Sequence, residues 1–80
     1  SEVGQVKEAI EELQGALSLN PDDAEIWNFL GVAYWRDKQW DKAEECYLKA
    51  LALDIDYASA FNNLGSLYLS RKNPEKALSY

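Results

Sequence analysis

The sequence predicts an all-α protein built from antiparallel helix-turn-helix units that stack side by side. Apolar residues recur at steps of three and four along four segments, the pattern of helices with one buried face. Short polar turns separate these segments, and residues 24–57 match the flanking sequence at a spacing of 34 residues. Such a repeat predicts a solenoid, in which each helix pair buries its apolar face against its neighbours.

The first predicted helix spans residues 5–19. Its apolar stripe consists of Val6, Ala9, Ile10, Leu13, Ala16 and Leu17. Gly15 costs this helix about 1 kcal/mol relative to alanine, so we expect it either at a close helix contact or at a weak point. Asn20-Pro21 ends the helix, because proline disfavours helical conformation at the residue before it.

The second helix is predicted over residues 23–37. Asp22 is its expected N-cap, and Glu25 three residues later would complete a capping box. Gly31 lies mid-helix, which indicates that another backbone comes close. The apolar stripe of this helix is Ile26, Trp27, Leu30, Ala33 and Tyr34.

A short turn at residues 37–39 predicts that a third helix, 40–53, packs antiparallel to the second. Asp56 is the expected cap of a fourth helix, 57–71, and Asn73-Pro74 predicts the start of a fifth. The stripe of the third helix is Trp40, Ala43, Tyr47, Ala50 and Leu51. The stripe of the fourth is Ala60, Phe61, Leu64, Leu67 and Tyr68.

A shift of 34 residues superimposes residues of the same size class. It places Trp27 on Phe61, Leu30 on Leu64, Gly31 on Gly65 and Tyr34 on Tyr68. It also places Ala9 on Ala43, Leu13 on Tyr47 and Ala16 on Ala50. This pattern of aromatic, leucine, glycine and alanine positions resembles the tetratricopeptide repeat, whose period is about 34 residues. The resemblance implies helix pairs stacked as a right-handed superhelix.

The resemblance covers nearly the whole chain and divides 1–80 into three parts of one array. Residues 1–23 are the second helix of a partial repeat, 24–57 are a complete repeat, and 58–80 are a truncated repeat. Two positions depart from the family pattern. Lys38 stands where the family commonly has glycine in the turn, and Ile55 replaces the usual proline.

Charge is unevenly distributed along the chain, whose formal net charge is −6. Residues 1–25 hold seven acidic residues against one lysine, whereas residues 71–80 hold three basic residues against one acid. Nucleic acid is therefore not an expected partner, because phosphate binding needs clustered Lys and Arg. No apolar run approaches the ~20 residues of a membrane span, so no membrane insertion is predicted. The single cysteine favours a reducing, cytoplasmic location.

Catalysis is not predicted, because the residues that carry most enzyme chemistry are missing. The chain contains no histidine, and its one cysteine, Cys46, has neither a second cysteine nor a histidine to complete a zinc site or to activate the thiol. No glycine-rich phosphate loop is present. We therefore predict neither a cofactor nor a metal.

The resemblance implies a binding surface on the first helix of each pair, which in this family lines a concave groove for extended peptides. The lining residues would be Glu25, Asn28, Phe29, Val32, Trp35 and Arg36 from one helix and Ser59, Asn62, Asn63, Ser66, Leu69 and Ser70 from the next. Asn28 and Asn62 are equivalent in the repeat, and a carboxamide can both donate to and accept from a peptide backbone. Phe29, Val32 and Trp35 would make the first part of the groove apolar.

An alternative interpretation of these residues stays open. Asn28 and Asn62 could be ordinary exposed helix residues, and Phe29 and Trp35 could pack against neighbouring helices. The family's clamp for the C-terminal carboxylate of chaperone tails is disfavoured, because Asn28 and Val32 stand where it needs lysine and asparagine. Of the clamp residues only Asn63 fits.

The predicted function is a non-catalytic scaffold for protein–protein interaction, with a peptide or partner protein in the groove. One alternative is a self-assembly module that stacks head to tail through incomplete ends, since one end is acidic and the other basic. That alternative expects the side of the fourth helix with Phe61, Leu64 and Tyr68 to be only partly covered, and residues 74–80 to fray or dock on a neighbour. A targeting arm of a larger enzyme and a piece of a longer array are further alternatives.

Overall fold

A computed structural model describes residues 2–70, which form four α-helices and no strand. The helices are α1 (Glu2–Leu19), α2 (Ala24–Arg36), α3 (Trp40–Leu53) and α4 (Ala58–Ser70). Each packs on the one before it, most extensively α3 on α2, and α4 also touches α2. The prediction of an all-α stack of helix-turn-helix units is confirmed. The predicted fifth helix lies outside the described residues.

The first helix begins at Glu2, three residues before its predicted start. Gly4 therefore lies in the first turn, where a glycine interrupts fewer helical hydrogen bonds than in the interior. Gly15 is exposed, and a Cβ added to it would meet nothing within 4 Å. The expected close helix contact at Gly15 is therefore not made within residues 2–70, and the weak point stays a prediction.

Asp23, not Asp22, is the N-cap of α2. Its Oδ1 accepts hydrogen bonds from the backbone N–H groups of Glu25, at 2.9 Å, and Ile26, at 3.3 Å. This cap satisfies two of the donors that every helix start leaves without an intrahelical partner. Because Glu25 is then the second helical residue, it does not occupy the third position that a capping box requires.

The cap predicted for α4 is also displaced. Tyr57 directly precedes the first residue of α4, and its carbonyl accepts from Phe61 N–H at 3.2 Å. Asp56 lies one residue further out, where its own N–H donates to Asp54 Oδ1 at 3.1 Å. The aspartates at 54 and 56 therefore shape the turn before the helix.

The turn between α2 and α3 is a Schellman motif with a lysine at its left-handed position. Lys38 N–H donates to the Trp35 carbonyl at 3.0 Å, and Gln39 N–H donates to the Tyr34 carbonyl at 2.9 Å. These two bonds define the motif, and they form only when the first donor residue after the helix C-cap has a positive φ. Lys38 supplies it, with φ of 61°. This conformation explains why the family commonly has glycine there.

Helices α2 and α3 approach closely at Gly31, but the neighbour is a ring and not a backbone. A Cβ on Gly31 would lie 2.5 Å from Cε1 of Tyr47. Tyr47 is 2% exposed, so its ring has little room to move away. The absence of a side chain at residue 31 therefore makes space for the ring, which corrects the prediction of close backbone contact.

Two tyrosines at equivalent positions of the repeat hydrogen-bond the first helix of a pair, α2 or α4, to the helix before it. Gln14 Nε2 on α1 donates to the hydroxyl of Tyr34 on α2 at 2.8 Å. The hydroxyl of Tyr68 on α4 donates to a carboxylate oxygen of Glu44 on α3. Tyr68 and Leu64 are buried, so the expectation that this side of α4 is only partly covered is wrong for both. Phe61, on the same side, is 41% exposed.

The buried side chains form one core that runs along the stack. Alanines at 43, 50 and 60 are fully buried and allow the helices to pack closely, while larger side chains fill the space between them. The core consists of Ile10, Leu30, Ala33, Tyr34, Ala43, Cys46, Tyr47, Ala50, Leu51, Ala60, Leu64, Leu67 and Tyr68. Within residues 2–70, no helix has both the length and the hydropathy to cross a membrane.

Candidate functional site

A groove of about 870 Å³ opens between α1, α2 and α4. Its volume lies in the range of pockets that hold a small molecule. The lining residues are Gln5, Val6, Ala9 and Leu13 from α1, Asn28, Phe29, Val32, Ala33 and Arg36 from α2, and Ser59, Asn62 and Asn63 from α4. The helices place these side chains because residues three and four apart share one face.

The α1 wall of the groove is mostly apolar, with Val6, Ala9 and Leu13 lining the cavity beside the polar Gln5. All three are half-buried and also contact the core. Phe29, which is 49% exposed, and the half-buried Val32 continue this apolar surface onto α2. This half of the groove can accept apolar side chains of a ligand.

The α4 wall is polar, because Ser59, Asn62 and Asn63 supply hydroxyl and carboxamide groups. Ser59 and Asn62 are exposed, and Asn63 is half-buried. Arg36, the charged residue of the lining, is exposed in the last turn of α2. This half can therefore pair with peptide N–H and C=O groups, and Arg36 adds one positive charge.

Asn28 is an internal residue, although it contributes to the lining of the groove. It is 3% exposed, and its Oδ1 accepts a hydrogen bond from Nδ2 of Asn63 at 2.9 Å. Its own Nδ2 donates to the hydroxyl of Tyr57 at 3.4 Å. A buried amide needs such partners, because leaving it unpaired costs about 1–3 kcal/mol. The hydrogen bonds of Asn28 therefore lie within the protein, where they join α2 to α4 and to Tyr57 just before it.

The structure brings together some of the predicted site residues and separates others. Those that line the groove are Asn28, Phe29, Val32, Arg36, Ser59, Asn62 and Asn63. Those outside its lining are Glu25, Trp35, Ser66, Leu69 and Ser70, all of them exposed. The equivalent asparagines 28 and 62 differ in environment, because α4 covers Asn28 whereas Asn62 is exposed.

Trp35 makes an aromatic contact near the α2–α3 turn. Its ring lies edge-on to the ring of Trp40, with centroids 6.3 Å apart and an interplanar angle of 63°. Such edge contacts favour association of the two rings. Trp35 nevertheless keeps 37% of its surface exposed. It therefore packs on Trp40 with part of its ring and remains accessible to solvent with the rest.

Sequence reasoning missed the α1 side of the groove, namely Gln5, Val6, Ala9 and Leu13. It assigned the last three to a packing stripe. The signal was nevertheless present, because the 34-residue shift places Ala9 and Leu13 on Ala43 and Tyr47. The ring of Tyr47 packs against Gly31 of α2 in the complete helix pair, so its equivalent Leu13 on α1 is expected on the face that a first helix of a pair would contact.

Burial raises the pKa values of two titrating side chains in the core, Cys46 and Tyr47. Burial, followed by the negative charge of Glu45, raises the pKa of the Cys46 thiol from 9.0 to about 12. Burial, followed by the charge of Cys46, raises the pKa of Tyr47 from 10.0 to about 12. Both groups stay protonated at neutral pH. Among residues 2–70, no group of three Cys, Asp or Glu side chains is placed to hold a metal ion.

The fold and the groove define a class of protein, the helical-repeat proteins that present a concave surface. Two family models match the chain, one described as tetratricopeptide repeat over residues 22–80 and one described as TPR repeat over residues 2–38. The chain belongs to the tetratricopeptide repeat family. Members of this family act in protein–protein interaction and are generally non-catalytic.

The stretches of the curated relatives that match this chain are small parts of longer proteins. The peroxisomal targeting signal receptor of Candida albicans is 39% identical over 56 residues, which are 70% of this chain and 10% of the receptor. The chloroplastic tetratricopeptide repeat domain-containing protein PYG7 of Arabidopsis thaliana is 34% identical over 74 residues, 92% of this chain and 24% of that protein. The 80 residues thus span a tenth to a quarter of these two relatives.

A solved structure shares the fold over almost the whole chain. It is MamA from residue 41 to its end, from Desulfovibrio magneticus RS-1, with a TM-score of 0.90 and 28% sequence identity. The match covers 98% of this chain and 44% of that chain. The arrangement of α1 to α4 is therefore that of a known tetratricopeptide repeat solenoid.

Proposed function

We propose that this chain is a protein-binding module whose groove holds an extended segment of a partner protein. The observation that carries the proposal is the division of the groove into an apolar wall and a polar wall. An extended peptide has apolar side chains to bury and backbone amides to pair, and the two walls offer both. The Candida albicans relative is named as a receptor for a targeting signal, which supports a recognition role for this chain.

Asn62 and Asn63 are the proposed contacts to the peptide backbone. Asn63 donates one N–H of its side chain to Asn28, so its second N–H and its carbonyl oxygen have further hydrogen-bonding capacity. This hydrogen bond to Asn28 also limits the rotation of the Asn63 side chain, so that less conformational entropy is lost on binding. Phe29 and Val32 are the proposed apolar contacts.

The proposed ligand is an internal segment and not a chain terminus. A buried carboxylate needs charged partners to offset its desolvation. The polar wall offers amides and hydroxyls, and Arg36 is the charged residue among the lining residues. Peptides with blocked termini should therefore bind about as well as those with a free C-terminus.

The test is selection of binders from a random library of twelve-residue peptides with blocked termini, followed by fluorescence anisotropy. Asn62→Ala and Phe29→Ala should each weaken a selected peptide about fivefold or more, since a lost hydrogen bond or apolar contact is worth about 1 kcal/mol. Ser66→Ala, exposed on α4 outside the groove lining, is the matched control and should bind within about twofold. Unchanged affinity in both groove variants would overturn the proposal, as would equal losses in the control.

The remaining predicted site residues are secondary candidates. Glu25, Trp35, Leu69 and Ser70 are exposed outside the groove lining, and a long peptide could reach them only by extending past the cavity. Their substitution should matter for longer peptides and not for the minimal segment. Shortening a selected peptide stepwise against Trp35→Ala measures that difference.

A further inference from the structure

Two hydrogen bonds in sequence connect Tyr57, which is outside the groove lining, to Asn63, which is part of it. Asn63 Nδ2 donates to Asn28 Oδ1 at 2.9 Å, and Asn28 Nδ2 donates to the hydroxyl of Tyr57 at 3.4 Å. Asn28 is 3% exposed, so its carboxamide must find its partners inside the protein. The orientation of the Asn28 amide therefore decides which atom of the Asn63 side chain turns inward.

The surroundings of Tyr57 favour this direction of the two bonds. A phenol hydroxyl can both donate and accept, whereas an ionised carboxylate only accepts. The cavity beside Tyr57 is lined by three acidic side chains, those of Asp23, Glu25 and Asp54. Their negative charges attract the proton of the hydroxyl, which leaves the hydroxyl oxygen to accept the N–H of Asn28. Tyr57 thus holds Asn28 with its carbonyl oxygen toward α4.

Tyr57 stands at a position where a helix cap is expected. The 34-residue shift places it on Asp23, whose Oδ1 accepts from two backbone N–H groups at the start of α2. Tyr57 takes the same place before α4, but its hydroxyl accepts from Asn28 instead. Aspartate is a preferred N-cap residue and tyrosine is not. A departure from a local preference of this kind is expected where a residue has a functional role.

We propose that Tyr57 is a positioning residue that turns the carbonyl oxygen of Asn63 toward the groove, so that this position takes an N–H group of the ligand. The inference deepens the peptide-binding proposal and rests on it. With Asn28 turned the other way, its N–H would face Asn63, which would then accept inward and offer only N–H groups to the groove. The observed direction leaves the oxygen of Asn63 for the ligand. A backbone N–H of an extended segment is the donor that fits.

Nuclear magnetic resonance of the ligand-free chain tests the orientation without any peptide. The side-chain N–H protons of Asn28 should show a nuclear Overhauser effect to the ring protons of Tyr57 that flank its hydroxyl. Absence of this effect would overturn the proposal. An effect from the same protons to the Cβ protons of Asn63 in its place would show the opposite orientation and overturn it as well.

An ester scan tests what Asn63 takes from the ligand. The probe is a blocked peptide selected for the groove, made as a series in which one backbone amide at a time becomes an ester and so loses its N–H. The ester whose effect disappears in Asn63→Ala marks the N–H that Asn63 binds. In the wild type this ester should weaken binding at least about fivefold, since a lost hydrogen bond is worth about 1 kcal/mol.

Tyr57→Phe keeps the ring and removes the hydroxyl, so Asn28 and Asn63 lose their fixed orientation. The marked ester should then weaken binding by less than about twofold, and the parent peptide should bind more weakly than to the wild type. Tyr34→Phe is the matched control, because the Tyr34 hydroxyl also accepts a side-chain N–H from another helix, from Gln14 at 2.8 Å, outside the groove lining. The ester effect should stay at its wild-type size in this control.

The outcomes separate the positioning role from peptide binding itself. A full ester effect in Tyr57→Phe, or an equal fall of that effect in Tyr34→Phe, would overturn the role of Tyr57. Tight binding of peptides with no ester effect that depends on Asn63 would overturn it too, while the groove proposal would stand. A library that yields no binder would overturn both the groove proposal and the ligand contact of Asn63.

Discussion

The ring of Tyr47 packs against α2 at Gly31, which has no side chain, and a single methyl group would not fit between them. A Cβ on residue 31 would lie 2.5 Å from Cε1 and 2.7 Å from Cδ1 of the ring. No real Cβ approaches a carbon so closely, so Gly31→Ala must displace a buried tyrosine. We expect this overpacking to cost about 1–3 kcal/mol of unfolding free energy, partly offset by the higher helix propensity of alanine.

Urea unfolding followed by circular dichroism measures the effect of Gly31→Ala. Gly15→Ala is the control, because the same substitution at an open position brings only the propensity gain of up to about 1 kcal/mol. The two variants should therefore move in opposite directions. An equal rise in the unfolding free energy of both variants would show that the Tyr47 ring moves aside without destabilising the protein.

The lysine at the left-handed turn position gives a second prediction. Lys38 has φ of 61°, a conformation that costs an L-residue about 1 kcal/mol and costs glycine nothing. Lys38→Gly should raise the unfolding free energy by up to about 1 kcal/mol, reduced by the greater entropy of glycine in the unfolded chain. Lys38→Ala retains the Cβ and should show no comparable gain. Thermal melts of both variants test this, and a gain in the alanine variant alone would contradict it.

The buried amide of Asn28 gives a third prediction. Asn28→Ala removes the acceptor of Asn63 and the donor to Tyr57, so we expect it to cost about 1–3 kcal/mol of stability. Asn62→Ala removes the equivalent, exposed residue and should change stability by less than about 0.5 kcal/mol. Chemical denaturation of both variants, combined with Asn63→Ala in a double-mutant cycle, measures the coupling. Additive losses in the cycle would mean that the bond between 28 and 63 contributes nothing.

The shifted pKa values of Cys46 and Tyr47 predict sensitivity to alkali. Both pKa values are higher in the folded state, about 12, than the ordinary 9.0 and 10.0. The folded state therefore holds these protons more tightly than the unfolded chain, and the resulting stability is complete below pH 9. It is lost as pH rises from about 9 through 12. Between pH 8 and pH 11, the wild type should lose about 2 kcal/mol more than Cys46→Ala.

Thiol reactivity checks the same burial independently. Because the thiolate is the reactive form, Cys46 should resist an aromatic disulfide reagent at pH 8 until the protein unfolds. The rate of labelling should then follow the rate of unfolding in urea. Rapid labelling of the folded protein at pH 8 would contradict a buried, protonated thiol.

The sequence was sufficient to predict the four helices and their pairing, because both depend on local patterns. Apolar spacing fixes the face of each helix, and the stop at Asn20-Pro21 depends on neighbouring residues only. Cap assignment failed by one residue at Asp22, because two adjacent aspartates can both cap a helix and only the path of the chain selects Asp23. Gly31 was recognised as a close contact, but sequence spacing cannot say whether a ring or a backbone fills the space.

The groove was harder to predict than the fold, because its shape depends on distances between helices. The position of Asn28 on α2 matches that of Asn62 on α4, and the two are chemically identical. Only the seating of α4 on α2 buries one and exposes the other. Val6 and Leu13 serve both the core and the groove, a dual role that an apolar stripe does not reveal. The assignment of groove residues to peptide binding stays a prediction.

The joints between the helix pairs determine how this array could be lengthened. If a second copy of residues 24–57 were inserted after Tyr57, its tyrosine at the place of Tyr34 would meet Glu44, as Tyr68 does in the chain. The copy would also bring Phe29 to the place of Asn63, and Asn28 would lose its amide partner. An inserted unit therefore needs asparagine at the position of Phe29, so the complete repeat is not interchangeable with the unit that follows it.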